Sequence, residues 1–156
     1  FEHFAFWIAK AAYLFMMVIL PIMLVGFVSW LVGFLTIALV AGFVLSIVFQ
    51  LAHTVEETAF PVPADSNKIE EEWALHQLKT TANFATRNKL ISWLVGGLNF
   101  QIEHHLFPKI SHIHYPAISK IIKQTCEEYG IRYIEHRRMR HAIVSHVSHL
   151  KRMGRA

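Results

Sequence analysis

Charge is missing from the first third of this chain. Of its 156 residues, the 45 from Ala11 to Val55 include no Asp, Glu, Lys or Arg. No soluble core requires an uncharged run of that length, and a cleaved secretory signal is much shorter and is not followed directly by such a stretch. Cysteine is nearly absent as well: Cys126 stands alone, which excludes an internal disulfide framework and is compatible with a reducing cytosol. Acidic residues are scarce at the far end, where Glu135 faces seven Lys or Arg from Arg132 onward. Phe1 is not an initiator methionine, so a segment upstream is expected. The length suffices for one domain, and the chain has no internal repeat or low-complexity segment.

What is present is an apolar front and a basic rear. A membrane helix needs about 20 apolar residues to cross roughly 30 Å of hydrocarbon. The uncharged run supplies two such lengths, residues 11–28 and 31–52. A turn is expected at Ser29-Trp30, between Gly26 and Gly33, with Trp30 at the interface and Pro21 kinking the first span. Two crossings return the chain to one side. Fourteen of the 15 Lys and Arg residues come after the run, so the positive-inside tendency makes that side cytoplasmic. The alternative, a buried hairpin in a large soluble protein, has to account for 45 residues without a charge.

The expected architecture is therefore an all-α integral membrane protein. A transmembrane hairpin (residues 1–55) leads into a cytosolic or interfacial helical cap (56–131) and a basic amphipathic tail (132–156). Phe60 to Ser66, with Pro61 and Pro63, reads as a loop. Asn67 with Glu70 resembles a capping box for a helix running through Trp73 to Lys79. Leu90 to Leu106 is apolar but too short to span, and reads as an interfacial helix. A further helix is expected from Tyr115-Pro116 to Gly130. In the tail, Met139, Ile143, Val147 and Leu150 form an apolar stripe suited to an anionic membrane surface. No nucleic-acid partner is expected.

Eleven histidines in this length is a high number. Gln101, His104 and His105 lie at i, i+3 and i+4 and share a helix face, while the two adjacent rings diverge by about 100°. Neutral imidazole suits iron, zinc and copper. On spacing alone, metal binding and a buried polar pair are both open. His53 falls at the mouth of the second span, where an ionisable side chain is a functional candidate or snorkels to water. His112 and His114 diverge on a helix, though an extended loop lets them converge. His76 has no evident partner. His136, His141, His146 and His149 read as solvated or lipid-facing.

Gln101-Ile102-Glu103-His104-His105, inside the run Gly96 to Pro108, resembles the third histidine box of the membrane fatty acid desaturases. Glutamine in the first position resembles their front-end branch, which inserts a double bond between an existing one and the carboxyl end. His76 to Phe84 resembles the family's stretch ahead of that box, and His112 to Pro116 resembles the stretch after it. The resemblance covers nearly the whole chain.

That resemblance implies a di-iron centre at the cytosolic ends of the membrane helices. His104 and His105 become iron ligands, Gln101 a ligand or near-ligand, and His53 the additional histidine after the last span. It also implies O₂ as co-substrate and a lipid acyl substrate, as acyl-CoA or acyl-lipid. The implied electron donor is cytochrome b5 or a ferredoxin. The family's HxxxH and HxxHH boxes do not occur here, so the fragment alone is expected to be inactive. Trp93, Leu94 and Leu98 are candidates to line an acyl tunnel. Lys79, Arg87 and Lys89 are candidates to hold a phosphate-bearing headgroup, and Arg137, Arg138 and Arg140 to dock the donor. The rival readings are a related di-iron hydroxylase or ketolase and a non-catalytic membrane anchor.

Overall fold

The computed structural model describes residues 2–62 and 71–155. The chain divides into two compact units, Phe1–Leu45 and Ser46–Ala156. It is mostly helical, in line with the sequence, apart from one short parallel strand pair that the sequence did not announce.

The first unit is a pair of apolar helical stretches. α1 (Glu2–Leu14), a π-helical turn (Phe15–Ile19) and α2 (Leu20–Val25) form one stretch of 24 residues, and α3 (Phe27–His53) adds another of 27. Both are long and apolar enough to cross a membrane. The break between them lies at Gly26, at φ +83°, rather than at Ser29-Trp30. Glycine reaches that conformation without steric cost, whereas Ser29 and Trp30 fit helical geometry and stay inside α3. The spans consequently differ from 11–28 and 31–52: the first starts as early as Glu2, and the second begins at Phe27.

Pro21 explains a second feature of this unit. The carbonyl of Met17 would take its helical hydrogen bond from residue 21, but proline has no N–H. Trp30 fills the gap, its indole Nε1–H donating to Met17 O at 2.9 Å. A carbonyl left unsatisfied among apolar groups costs about 1–3 kcal/mol, so the proline and the tryptophan form a compensating pair. Nearly all side chains of the unit are exposed, as expected of helices whose apolar surface faces lipid.

The second unit begins with the last two turns of α3. Val48, Leu51 and Ala52 are buried there with Phe84, Ala85 and Ala142. A second cluster joins Leu78, Ile102, Ile122 and Cys126. The elements after α3 are α4 (Trp73–Thr80), β1 (Asn83–Phe84), α5 (Lys89–Leu94), α6 (Gln101–Leu106), α7 (Tyr115–Glu128), β2 (Glu135–His136) and α8 (Met139–Met153). β1 and β2 pair in parallel, with Asn83 opposite Glu135 and Phe84 opposite His136. The proposed Asn67/Glu70 cap lies outside the described residues, and the described helix starts at Trp73.

Residues 90–106 do not form one helix. Gly96 (φ +58°) and Gly97 (φ +77°) turn the chain between α5 and α6. At Gly97 a Cβ would come within 2.6 Å of His112 Cβ, so glycine is needed there twice over. The helix from Tyr115, with Pro116 in its first turn, ends before Gly130 (φ +65°), in line with the sequence.

The tail helix α8 buries Ala142, Ser145 and His149, while Ile143, Val147 and Leu150 stay exposed. Small and hydrogen-bonding side chains thus face the unit's interior, because α8 is held by polar contacts. Ser145 Oγ accepts from Glu56 N–H at 3.0 Å and donates to Glu57 at 2.6 Å, and His146 Nδ1–H donates to Thr54 O at 2.6 Å.

Candidate metal centre

The end of α3 is pinned before any ligand question arises. Its last carbonyls lack helical partners. Ala82 N–H donates to Ala52 O at 2.8 Å, and Thr58 Oγ donates to His53 O at 3.1 Å. The backbone of His53 is therefore fixed by a strand-side amide and a loop hydroxyl.

α6 is only six residues long and cannot hold itself. A buried polar network does so. Asn83 Oδ1 accepts from Ile102 N–H at 2.9 Å, capping one of the free amides of the first turn from across the chain. Asn83 Nδ2 donates to Glu103 Oε2 and to Tyr133 Oη, both at 2.7 Å. Tyr133 Oη–H donates to Glu103 Oε1 at 2.8 Å, and Ser119 Oγ–H donates to Tyr133 Oη at 3.1 Å. Glu103 is fully buried. Burial raises its pKa above the ordinary carboxyl value against the pull of these hydrogen bonds. Burial and the neighbouring Glu103 raise that of Tyr133, which keeps it a donor.

With Glu103 anchored inward, His104 and His105 are set on the other side of α6. The rings of His53 and His105 lie 5.0 Å apart, those of His104 and His105 5.9 Å. His105 Nδ1–H donates to Gln77 Oε1 at 2.6 Å, and His53 Nδ1–H donates to Thr80 O at 3.3 Å. Both acceptors are carbonyl-type oxygens, so each ring carries a proton on Nδ1 and Nε2 is the nitrogen left for a metal. That is the arrangement in which a histidine binds metal. Burial, reinforced by the neighbouring His53 and His104, pulls the pKa of His105 down to about 4. Its ring is neutral at physiological pH, as a ligand must be. His104 Nδ1 lies 3.3 Å from Tyr115 Oη.

Gln101 sits at the start of α6, 1% exposed, and among the described residues neither amide atom has a hydrogen-bond partner. Leaving a buried amide unsatisfied costs about 1–3 kcal/mol per group, so the position calls for a partner outside the chain's own atoms. These residues fit iron, which accepts imidazole and amide oxygen donors. No three His, Cys, Asp or Glu side chains converge on one point among the described residues.

Sequence reasoning missed Gln77, Thr80, Asn83 and Tyr133, whose roles depend on positions 28, 27, 20 and 30 residues from their partners. His76 lines a cavity of about 400 Å³ together with His53, Phe60 and Thr80. Trp93 and Leu94 are exposed and Leu98 packs against the first core cluster. Lys79 pairs with Glu71. His112 and His114 are both exposed in a short 3₁₀ turn. The tail histidines are not uniformly solvated: His149 is buried and stacks on Phe60 at 5.1 Å, and His136 lies 3.3 Å from Glu57. α8 turns its polar side inward and carries His149 with it, while His136 is placed by β2.

A family model described as fatty acid desaturase matches residues 1–137. An sn-1 linoleoyl-lipid 6-desaturase of Synechocystis is 47% identical over 116 residues, 74% of this chain and 32% of that protein. An acyl-lipid (8-3)-desaturase of Physcomitrium patens is 39% identical across 98% of this chain and 32% of its own. A Delta(5) fatty acid desaturase of Dictyostelium discoideum is 35% identical across 99% and 34%. The chain spans about a third of the length of these curated relatives. No solved structure matches it.

Proposed function

Because the chain belongs to the fatty acid desaturase family, we propose that it is the part of a front-end acyl desaturase that supplies His53, Gln101, His104 and His105 to a di-iron centre. The observation that carries this reading is the pair of neighbouring rings, His53 and His105, each with Nδ1 tied to a carbonyl-type oxygen, which leaves Nε2 as the nitrogen for a metal. The unsatisfied Gln101 amide supports it.

When bound, the iron pair would supply the oxidising power by which O₂, with two electrons and two protons, takes two hydrogens from adjacent CH₂ groups, leaving a cis double bond and two waters. The chain's own residues position. Gln77 and the Thr80 carbonyl hold the imidazoles in the ligand tautomer, and Asn83 with Tyr133 holds α6 through Glu103. Placement of this kind accounts for much of what a protein adds to metal chemistry.

Three histidines and a glutamine cannot saturate two irons, and HxxxH and HxxHH boxes do not occur in these 156 residues. The remaining ligands then come from elsewhere in a longer protein, and the isolated chain is inactive. In this reading residues 1–55 are the membrane hairpin, 56–131 the cytosolic cap and 132–156 the basic tail. The protein is multi-pass, with its site and C-terminus on the cytoplasmic side, as the basic rear suggests. The substrate is a lipid acyl chain, and cytochrome b5 or a ferredoxin supplies the electrons.

The test is expression of the complete gene in a host fed candidate fatty acids, beside its His104→Ala variant. Gas chromatography–mass spectrometry with double bonds located by derivatisation should show a new double bond on the carboxyl side of an existing one, lost in the variant. A hydroxylated or keto product would move the protein to the oxygenase reading. Unchanged function in His104→Ala would support the anchor reading.

A further inference from the structure

The parallel pairing of β1 and β2 has a topological consequence. Parallel strands end at the same edge, so the segments leaving them emerge side by side. After β1, Ala85 (φ +49°) and a turn closed by Asn88 N–H to Ala85 O at 2.9 Å bring out Arg87 and Lys89. After β2 come Arg137 and Arg138. About 50 residues apart in sequence, these four cations line one groove of about 460 Å³ with Asn88 and Met139. The start of α8, where no side chain caps the free amides, opens on the same groove through Met139. It adds the positive end of a helix dipole.

The charge there is not balanced internally. The nearest carboxylate is Glu135, which already takes Lys123 at 2.9 Å, Arg137 at 3.3 Å and Thr86 Oγ–H at 2.6 Å. Among the described residues no carboxylate comes within ion-pair distance of Arg87, Lys89 or Arg138. Arg87, Lys89 and Arg138 around one concavity repel unless an anion joins them.

The groove also leads somewhere. A second cavity, of about 740 Å³, shares Arg87 and Lys89 with the first and continues past Thr86 and Ser92 to Phe100 and Pro116. Phe100 directly precedes Gln101, and Pro116 comes directly after Tyr115, which touches His104. The two cavities share a cationic mouth, and the second ends at Phe100 and Pro116, the chain neighbours of Gln101 and Tyr115.

We propose that this mouth binds the phosphate of the acyl substrate's headgroup, the phosphodiester of a phospholipid or the pyrophosphate of an acyl-CoA. Arginine and lysine recognise phosphate oxygens by charge-assisted hydrogen bonds, and a concave site of this size suits a headgroup better than a protein surface. Arg137 and Arg138 thereby belong to a substrate site rather than to a donor dock. Lys79, bound to Glu71, has no part in it. The proposal rests on the desaturase reading for the nature of the ligand's tail.

The experiment uses the complete protein in detergent and three fluorescent acyl probes: a lysophospholipid, an acyl-CoA, and a monogalactosyl acylglycerol that lacks phosphate. In the variant Arg87→Gln/Lys89→Gln/Arg138→Gln, Kd should rise at least tenfold for a phosphate-bearing probe and stay within twofold for the galactosyl probe. Arg87→Lys/Arg138→Lys should retain most of the affinity. Whichever phosphate probe is affected identifies the source. Unchanged affinity for both phosphate probes overturns the proposal, as does equal loss of the uncharged probe. So does a triple variant that weakens only the binding of an acidic donor protein. Binding needs neither iron nor turnover, so a protein that passes here yet makes no double bond would fault the desaturase reading alone.

Discussion

The two units hold themselves together by opposite means. Among the described residues of the first unit almost every side chain is exposed, and a single long-range side-chain hydrogen bond, Trp30 to Met17 O, ties the two helices. In Ser46–Ala156 buried polar groups do the holding: Asn83, Glu103 and Tyr133 are joined around one point, and Ser145 ties Glu56 and Glu57 to α8. The first unit depends on its solvent, while the second depends on geometry. A region that must fix imidazoles to fractions of an ångström needs directional bonds, which apolar contacts cannot supply.

That contrast predicts where damage is severe. Asn83→Ala leaves Ile102 N–H without a partner and takes one of the two side-chain donors from buried Glu103, at a cost of about 3 kcal/mol. The thermal midpoint of the complete protein in detergent, followed by size-exclusion fluorescence, should drop sharply. Leu39→Ala, on an exposed position of α3, should barely move it. Comparable losses for both would dissolve the distinction.

Glycine sharpens it next. Gly97→Ala meets His112 Cβ at 2.6 Å and a φ of +77°, so about 1–3 kcal/mol of strain is expected. Gly42→Ala in α3 has nothing within 4 Å and should be neutral or stabilising by up to about 1 kcal/mol. The same midpoint assay reads both.

The first unit has one polar weakness of its own. Trp30→Phe keeps an aromatic ring but strips the donor from Met17 O, and should cost about 1 kcal/mol. The same thermal midpoint reads the loss. A variant as stable as the wild type would mean that another group satisfies the carbonyl.

Acid should produce the smallest effect, and only in the second unit. Burial raises the pKa of Glu57, but hydrogen bonds from Ser145 and its own backbone, with His136 and Arg132, bring it below the ordinary value. Burial of Glu135 is likewise outweighed, by Thr86, Lys123 and Arg137. Both folded pKa values are depressed, so their stabilisation is complete above the unfolded value of about 4.3 and is lost as pH falls below it. Hydrogen exchange of α8 should therefore accelerate below about pH 4.3, with the amides of α3 before Leu45 unaffected.

The hairpin was legible because absence of charge over 45 residues is a local, additive signal. Its turn was misplaced because Gly26 and the Ser29-Trp30 pair are both plausible breaks until one knows that Trp30 serves Met17. That Gln101, His104 and His105 lie on one short helix was legible from their spacing. The groups that fix them were not: Gln77, Asn83 and Tyr133 act across 20 to 30 residues and leave no periodic trace. The strand pair of two residues each is too short for any alternation to show. In the tail the apolar stripe was real, but which face turned inward was decided by Ser145 and His149.

The central claim is that His53 and His105 hold iron. The direct measurement is iron per chain, by plasma mass spectrometry, in the purified complete protein and in His53→Ala, His105→Ala and His149→Ala. The account predicts an iron pair in the wild type and loss of at least one iron in each of the first two variants. It predicts no loss in His149→Ala, whose ring is buried but lies outside the centre. Full iron in both His53→Ala and His105→Ala would contradict it.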